Sequence, residues 1–80
     1  MQEEILQELK NSGLFKDIET TNHCHGEDDC LAVQYYGDNP TAEKRFIRDL
    51  LKHRFPHWRL DKLDANGVRI VAVFHERPNL

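Results

Sequence analysis

Long apolar runs, glycine-rich loops and low-complexity tracts are missing from this 80-residue chain. The longest apolar run, residues 70–74, is far shorter than the roughly 20 residues that a membrane-spanning helix needs, so no membrane partner is expected. No tract rich in glycine, serine or proline divides the chain, which predicts a single small domain over residues 1–80. The acidic N-terminus does not resemble an export signal, and the sequence therefore predicts a cytoplasmic protein with its cysteines in a reducing compartment.

Sequence motifs for catalysis are also missing. The chain has neither a glycine-rich phosphate loop nor a G-x-S-x-G nucleophile turn. Its only candidate nucleophiles, Cys24 and Cys30, flank the acids of residues 27–29, which disfavour the thiolate form. The sequence predicts that the protein is not an enzyme and needs no cofactor.

What the chain does have is an uneven distribution of charge. The net charge is −3, yet residues 1–30 hold eight acids and two bases, while residues 41–59 hold six bases and two acids. An acidic segment beside a basic one is typical of a protein whose charged surfaces meet each other or a partner.

The spacing of apolar residues and turn signals predicts an α+β fold in the order α-β-β-α-β-β. Asn39 followed by Pro40 is the expected start of the second helix, and Pro56 ends it. The expected result is a four-stranded, mostly antiparallel sheet with two helices packed on one face. The predicted helices cover residues 2–12 and 40–55, and the predicted strands cover 16–22, which reads as an edge strand, 30–36, 57–63 and 68–75.

The last predicted strand is apolar on both faces, which indicates that its second face is covered or docks something. A four-residue turn at residues 64–67 would place Trp58 and Leu60 beside Val71 and Val73 on that face. These four residues are the candidate surface for a protein partner or a homodimer.

A second candidate surface is the basic segment of residues 41–59, which comprises the second helix and the residues just after it. Cations interleaved with an aromatic ring suit a polyanion, because cations neutralise phosphates and a ring stacks on a base. A carboxylate-rich protein surface would serve equally well. The candidate residues are Lys44, Arg45, Arg48, Lys52, Trp58 and Arg59.

The densest group of metal-ligand residue types lies in the loop of residues 23–30. His23, Cys24, His25 and Cys30 offer the imidazole and thiolate ligands that zinc prefers. Their spacing does not match a zinc finger, and the same cysteines could instead form a redox-sensitive pair or simply belong to a polar turn. We interpret the whole chain as a small non-catalytic binding or regulatory module, with nucleic-acid binding as the first alternative and a zinc-stabilised or redox-sensitive domain as the second.

Overall fold

The computed structural model describes residues 2–77 and confirms the predicted α+β fold and element order. A short 3-10 turn at Asn22–Cys24 joins the first two strands. The helices are α1 (Gln2–Ser12) and α2 (Pro40–Arg54), and the strands are β1 (Lys16–Thr20), β2 (Cys30–Tyr36), β3 (Trp58–Asn66) and β4 (Arg69–Glu76).

The four strands form one antiparallel sheet in the order β1-β2-β4-β3. Strand β4 is central, as its apolar sequence predicts. Strand β1 lies at an edge, as predicted for residues 16–22, but it ends at Thr20. Strand β3 forms the other edge and lies next to α2 in the tertiary structure. Neither helix of residues 2–77 is long and apolar enough to cross a bilayer.

The hydrophobic core lies between the helices and one face of the sheet. Ile5 and Leu9 of α1 and Ile47 and Leu51 of α2 join a single buried cluster with the strand residues that face them. Both helices therefore bury their apolar stripes against the same face of the sheet. The strand members of that cluster are Leu31, Val33, Tyr35, Trp58, Ile70, Ala72 and Phe74.

Helix α2 begins and ends where its sequence signals predict. The side chain of Asn39 accepts a hydrogen bond from the backbone N–H of Ala42 at 3.3 Å, with Pro40 in the first helical position. At the other end, the N–H of Phe55 donates to the carbonyl of Leu51, and Pro56 follows. These caps fix the helix that carries the basic side chains.

The hairpin between β3 and β4 differs from its prediction in two ways. The strands run on to the pair Asn66–Arg69, so Gly67 and Val68 alone form the turn, with Gly67 at a φ of +68°. Strand β3 also carries a bulge, because Leu60 pairs with Phe74 whereas Lys62 pairs with Val73. The extra residue, Asp61, reverses the alternation of side chains beyond it.

The bulge changes which face the predicted sheet residues occupy. Trp58 and Leu60 lie on the helix-covered face, where Trp58 is buried in the core and Leu60 packs against it. Val71 and Val73 lie on the opposite face and are half-buried. The prediction that these four residues form one open apolar surface is therefore wrong.

Candidate functional site

A groove runs between α2 and the edge strand β3, and we call it the α2–β3 groove. Its larger part has a volume of about 470 Å³, and a smaller depression of about 110 Å³ continues along the same two elements. The apolar side chains that line it are Leu51, Pro56, Trp58, Leu60 and Leu63, and the basic ones are Lys44, Arg48, Lys52, Arg59, Lys62 and Arg77.

Helical spacing aligns three of these cations in one row. Lys44, Arg48 and Lys52 are four residues apart in α2, and side chains at that spacing share a helix face. All three are exposed, and none of them forms an ion pair with another residue of the described range 2–77. The row is therefore available to an anionic ligand.

Strand β3 supplies the opposite wall of the groove and a partly neutralised set of charges. Arg59 contacts the carboxylate of Asp61 at 2.7 Å, and Lys62 contacts Asp64 at 3.1 Å. Exposed pairs of this kind contribute only about 0–1 kcal/mol and exchange readily with other partners. Among the residues that line the groove within the described structure, Asp61 is the one acid, so the groove is cationic.

The remaining predicted residue of the basic helix, Arg45, lies just outside this groove. It lines a separate shallow depression with Thr41, Lys44, Arg48 and Asp49. The structure thus brings together five of the six candidates from residues 41–59 and places the sixth beside them. Trp58, however, is 4% exposed, so its ring contributes to the floor and not to a stacking surface.

The face of the sheet opposite the helices is mostly polar. Val71 and Val73 are flanked on β3 by the ion pair of Lys62 and Asp64, which share their face. On β2, Gln34 is half-buried beside Val71 and accepts a hydrogen bond from the Arg69 guanidinium. The two half-buried valines continue the small cluster of Cys24, Cys30 and Ala32 on this face, and polar side chains border them on β3 and at Gln34, so the apolar area is small and not broad.

The cysteine loop is closed by a disulfide bond between Cys24 and Cys30, whose Cα atoms lie 5.6 Å apart. Both cysteines are buried, and with Ala32 they form a small second cluster against which Val73 packs. The interpretation of this loop as a polar turn with unpaired cysteines is therefore wrong. Two short elements, the 3-10 turn and the start of β2, bring the sulfur atoms together.

The histidines of this loop do not join the cysteines in a metal-binding arrangement. His23 is exposed, and its Nδ1 shares a 2.9 Å hydrogen bond with the Thr21 hydroxyl; His25 is exposed, with a φ of 50°. Within the described residues, the group whose ligand atoms lie close together is instead Glu27, Cys30 and His75. Sequence reasoning missed His75 because it is brought to the loop only by the pairing of β2 with β4.

A buried acid also escaped sequence reasoning. Glu43, in the first turn of α2, is 5% exposed, and its Oε1 has no hydrogen-bond partner among residues 2–77. Its carboxylate lies against Gly37, and Oε2 accepts a 3.5 Å contact from the N–H of Asn39. Burial, and next the charge of Glu43, raise the pKa of Tyr35 to about 12. The sequence signal for this burial was Gly37, which precedes the helix and, because it has no side chain, leaves room for the Glu43 carboxylate.

Comparison of the chain with protein-family models, with curated proteins and with solved structures found no match.

Proposed function

We propose that this protein is a non-catalytic binding module that docks an acidic segment of another protein in the α2–β3 groove. One observation carries the proposal: a row of three cations without ion-pair partners in the described structure borders a groove with an apolar floor. Complementary charge steers encounter and selects partners, and apolar contact adds affinity.

The composition of the groove favours a protein ligand over a nucleic acid. Leu51, Trp58 and Leu60 give it an apolar floor, which suits apolar side chains of an acidic peptide. A single-stranded nucleic acid needs exposed rings on which bases stack, and Trp58 is buried.

Self-association through the sheet has less support. The apolar area around Val71 and Val73 is small, and the edge strand β3 carries a bulge and alternating charges. Bulges and charges on an edge discourage pairing with another sheet. The cytoplasmic location inferred from the sequence stays a prediction, and the Cys24–Cys30 disulfide counts against it, because such bonds persist mainly in oxidising compartments. Fractionation of cells expressing the tagged chain tests it.

Binding of a fluorescent peptide of alternating glutamate and leucine, followed by anisotropy at low salt, tests the proposal. The double variant Lys44→Glu with Arg48→Glu should weaken binding by at least about tenfold, because it turns attraction into repulsion. The matched control, Lys10→Glu with Lys16→Glu, makes the same change in net charge at exposed positions away from the groove and should bind almost as well as wild type.

Three outcomes would overturn the proposal. The first is no binding of the peptide at low salt, and the second is equal weakening by both double variants. The third is tighter, groove-dependent binding of a single-stranded oligonucleotide of the same charge, which would favour the nucleic-acid alternative. Light scattering on the free protein tests self-association separately, and a concentration-dependent dimer that survives the groove variant would favour the sheet surface.

A further inference from the structure

We propose that the reduced form of this protein binds one zinc ion through Cys24, Cys30, Glu27 and His75. The site differs from the one suggested by the loop sequence, since His75 replaces His23 and His25 as the source of imidazole. It also lies apart from the α2–β3 groove and does not depend on the function proposed for that groove.

The ligand atoms are already close together. A carboxylate oxygen of Glu27, the sulfur of Cys30 and a ring nitrogen of His75 all lie within 4.8 Å of one another. The sulfur of Cys24 is bonded to that of Cys30 and so lies next to this group, although it is not one of the ligand atoms within 4.8 Å of all the others. Ligand atoms on a tetrahedral zinc ion lie roughly 3 to 4 Å apart, so small side-chain rotations suffice for Glu27, Cys30 and His75, and Cys24 joins them by turning its sulfur toward the ion once the disulfide is broken.

The sheet fixes two of the four ligands. Cys30 and His75 are directly opposite each other in β2 and β4 and share the face that carries Cys24. Side chains of opposite residues in an antiparallel pair are neighbours, and their separation is set by the backbone. The site thus has a rigid half that does not depend on the loop.

Hydrogen bonds to the backbone fix the conformation of the loop that carries Glu27. The N–H of Glu27 donates to the carbonyl of Cys24 at 3.0 Å, and the N–H of Glu76 donates to the carbonyl of Asp29 at 2.8 Å. The side-chain amide of Gln2 donates to the carbonyl of Glu27 at 3.2 Å and also contacts that of Asp28. These contacts tie the loop to α1 and to β4 and keep Glu27 near the sulfur atoms.

The hydrogen bonding of His75 suits metal binding. Its Nδ1 contacts the carboxylate of Asp61, which leaves Nε2 for a metal ion. A histidine that binds zinc usually donates its other ring N–H to a carboxylate or carbonyl, which fixes the ring and makes it a better ligand. The bulge in β3 places Asp61 where it can do this.

Zinc binding requires the cysteines as thiolates, so it excludes the disulfide. A dithiol reductant breaks the bond between the two sulfur atoms and passes two electrons and two protons to them, and the reductant itself becomes a disulfide. Zinc then replaces the two thiol protons, which are released to solvent. The same two cysteines therefore hold either a covalent bond or a metal ion, according to the redox state.

The test is a titration of the reduced protein with Co²⁺, followed by displacement with Zn²⁺. We expect one metal ion per chain, an absorption band from thiolate to cobalt, and a rise in the unfolding midpoint when zinc is added. The oxidised protein should show none of these. Native mass spectrometry of the reduced protein should give the same stoichiometry.

Variants distinguish this site from the loop site. His75→Ala and Glu27→Gln should each weaken zinc binding, His75→Ala by at least about tenfold, whereas His23→Ala with His25→Ala should leave it unchanged. Circular dichroism of each oxidised variant checks its fold. Because His75→Ala also removes a partner of Asp61, His75→Cys serves as a second variant, which should retain metal with a stronger thiolate band.

The proposal is overturned if the reduced wild type takes up no cobalt or zinc. It is also overturned if the double variant His23→Ala with His25→Ala loses metal while His75→Ala keeps it. Equal binding by the oxidised and reduced proteins would contradict the role of the cysteines.

Discussion

The charge of Glu43 in α2 helps to raise the pKa of the Tyr35 phenol in β2, and both side chains are buried where the helix meets the sheet. Burial, with a smaller contribution from the Glu43 charge, raises the pKa of Tyr35 to about 12 from 10.0. Neither the Tyr35 hydroxyl nor Glu43 Oε1 has a hydrogen-bond partner within the described structure. The pair links the start of the basic helix to the core.

The raised pKa of Tyr35 predicts a loss of stability in alkali. Below pH 10 the phenol is neutral in both states, but between about pH 10 and 12 only the unfolded chain ionises, so the free energy of unfolding falls. The full loss is about 2 to 3 kcal/mol above pH 12. Urea unfolding across this pH range should show that the free energy of unfolding falls less steeply with pH for Tyr35→Phe than for wild type.

The matched control for that experiment is Tyr36→Phe, which removes the exposed phenol of the next residue and should keep the wild-type fall. An identical alkaline fall in wild type and Tyr35→Phe would contradict the prediction. At neutral pH, Tyr35→Phe removes a hydroxyl without a partner, and we expect little or no loss of stability.

Glycine at position 37 is predicted to be needed for full stability, because the Glu43 carboxylate occupies the space that a Cβ atom would take. A Cβ atom at residue 37 would lie 2.6 Å from Glu43 Cδ, closer than Cβ atoms approach other atoms in real structures, so the end of the buried Glu43 side chain has to shift. Gly37→Ala should lower the free energy of unfolding by about 1–3 kcal/mol, as overpacking of a core does. In a Glu43→Ala background the same change should cost much less. Equal losses of unfolding free energy in the two backgrounds, measured by urea unfolding, would contradict this explanation.

The Cys24–Cys30 bond is predicted to contribute stability by restricting the unfolded chain. The two residues are separated by 6 positions, and closing so short a loop corresponds to about 2 kcal/mol. Adding a reductant together with a chelator should lower the unfolding free energy of wild type by that amount. The double variant Cys24→Ala with Cys30→Ala should be insensitive to the reductant, and a similar response in both proteins would contradict the prediction.

Trp58 is predicted to be a core residue that also forms part of the groove floor, and not an exposed stacking residue. It is 4% exposed, so Trp58→Ala should lower the free energy of unfolding by about 3–5 kcal/mol. The control Leu14→Ala changes a side chain that is 48% exposed and should cost under about 0.5 kcal/mol. Chemical unfolding followed by circular dichroism measures both. Similar small losses for the two variants would show that Trp58 is not part of the core.

The sequence alone determined the order of elements and the ends of the second helix. Asn39, Pro40 and Pro56 start or end the helix through their immediate neighbours, so their effect can be predicted without knowledge of the fold. The same holds for the central position of β4, since a strand with apolar residues on both faces has to be covered on both.

Only the tertiary structure decided which of these residues share a surface. One extra residue, Asp61, turned Trp58 and Leu60 toward the helices and left Val71 and Val73 on the other face. The pairing of β2 with β4 brought His75 to Cys30, and the packing of α2 against β3 formed the cationic groove. Bulges and contacts between distant strands depend on how whole elements fit together, and no local pattern of residues encodes that fit.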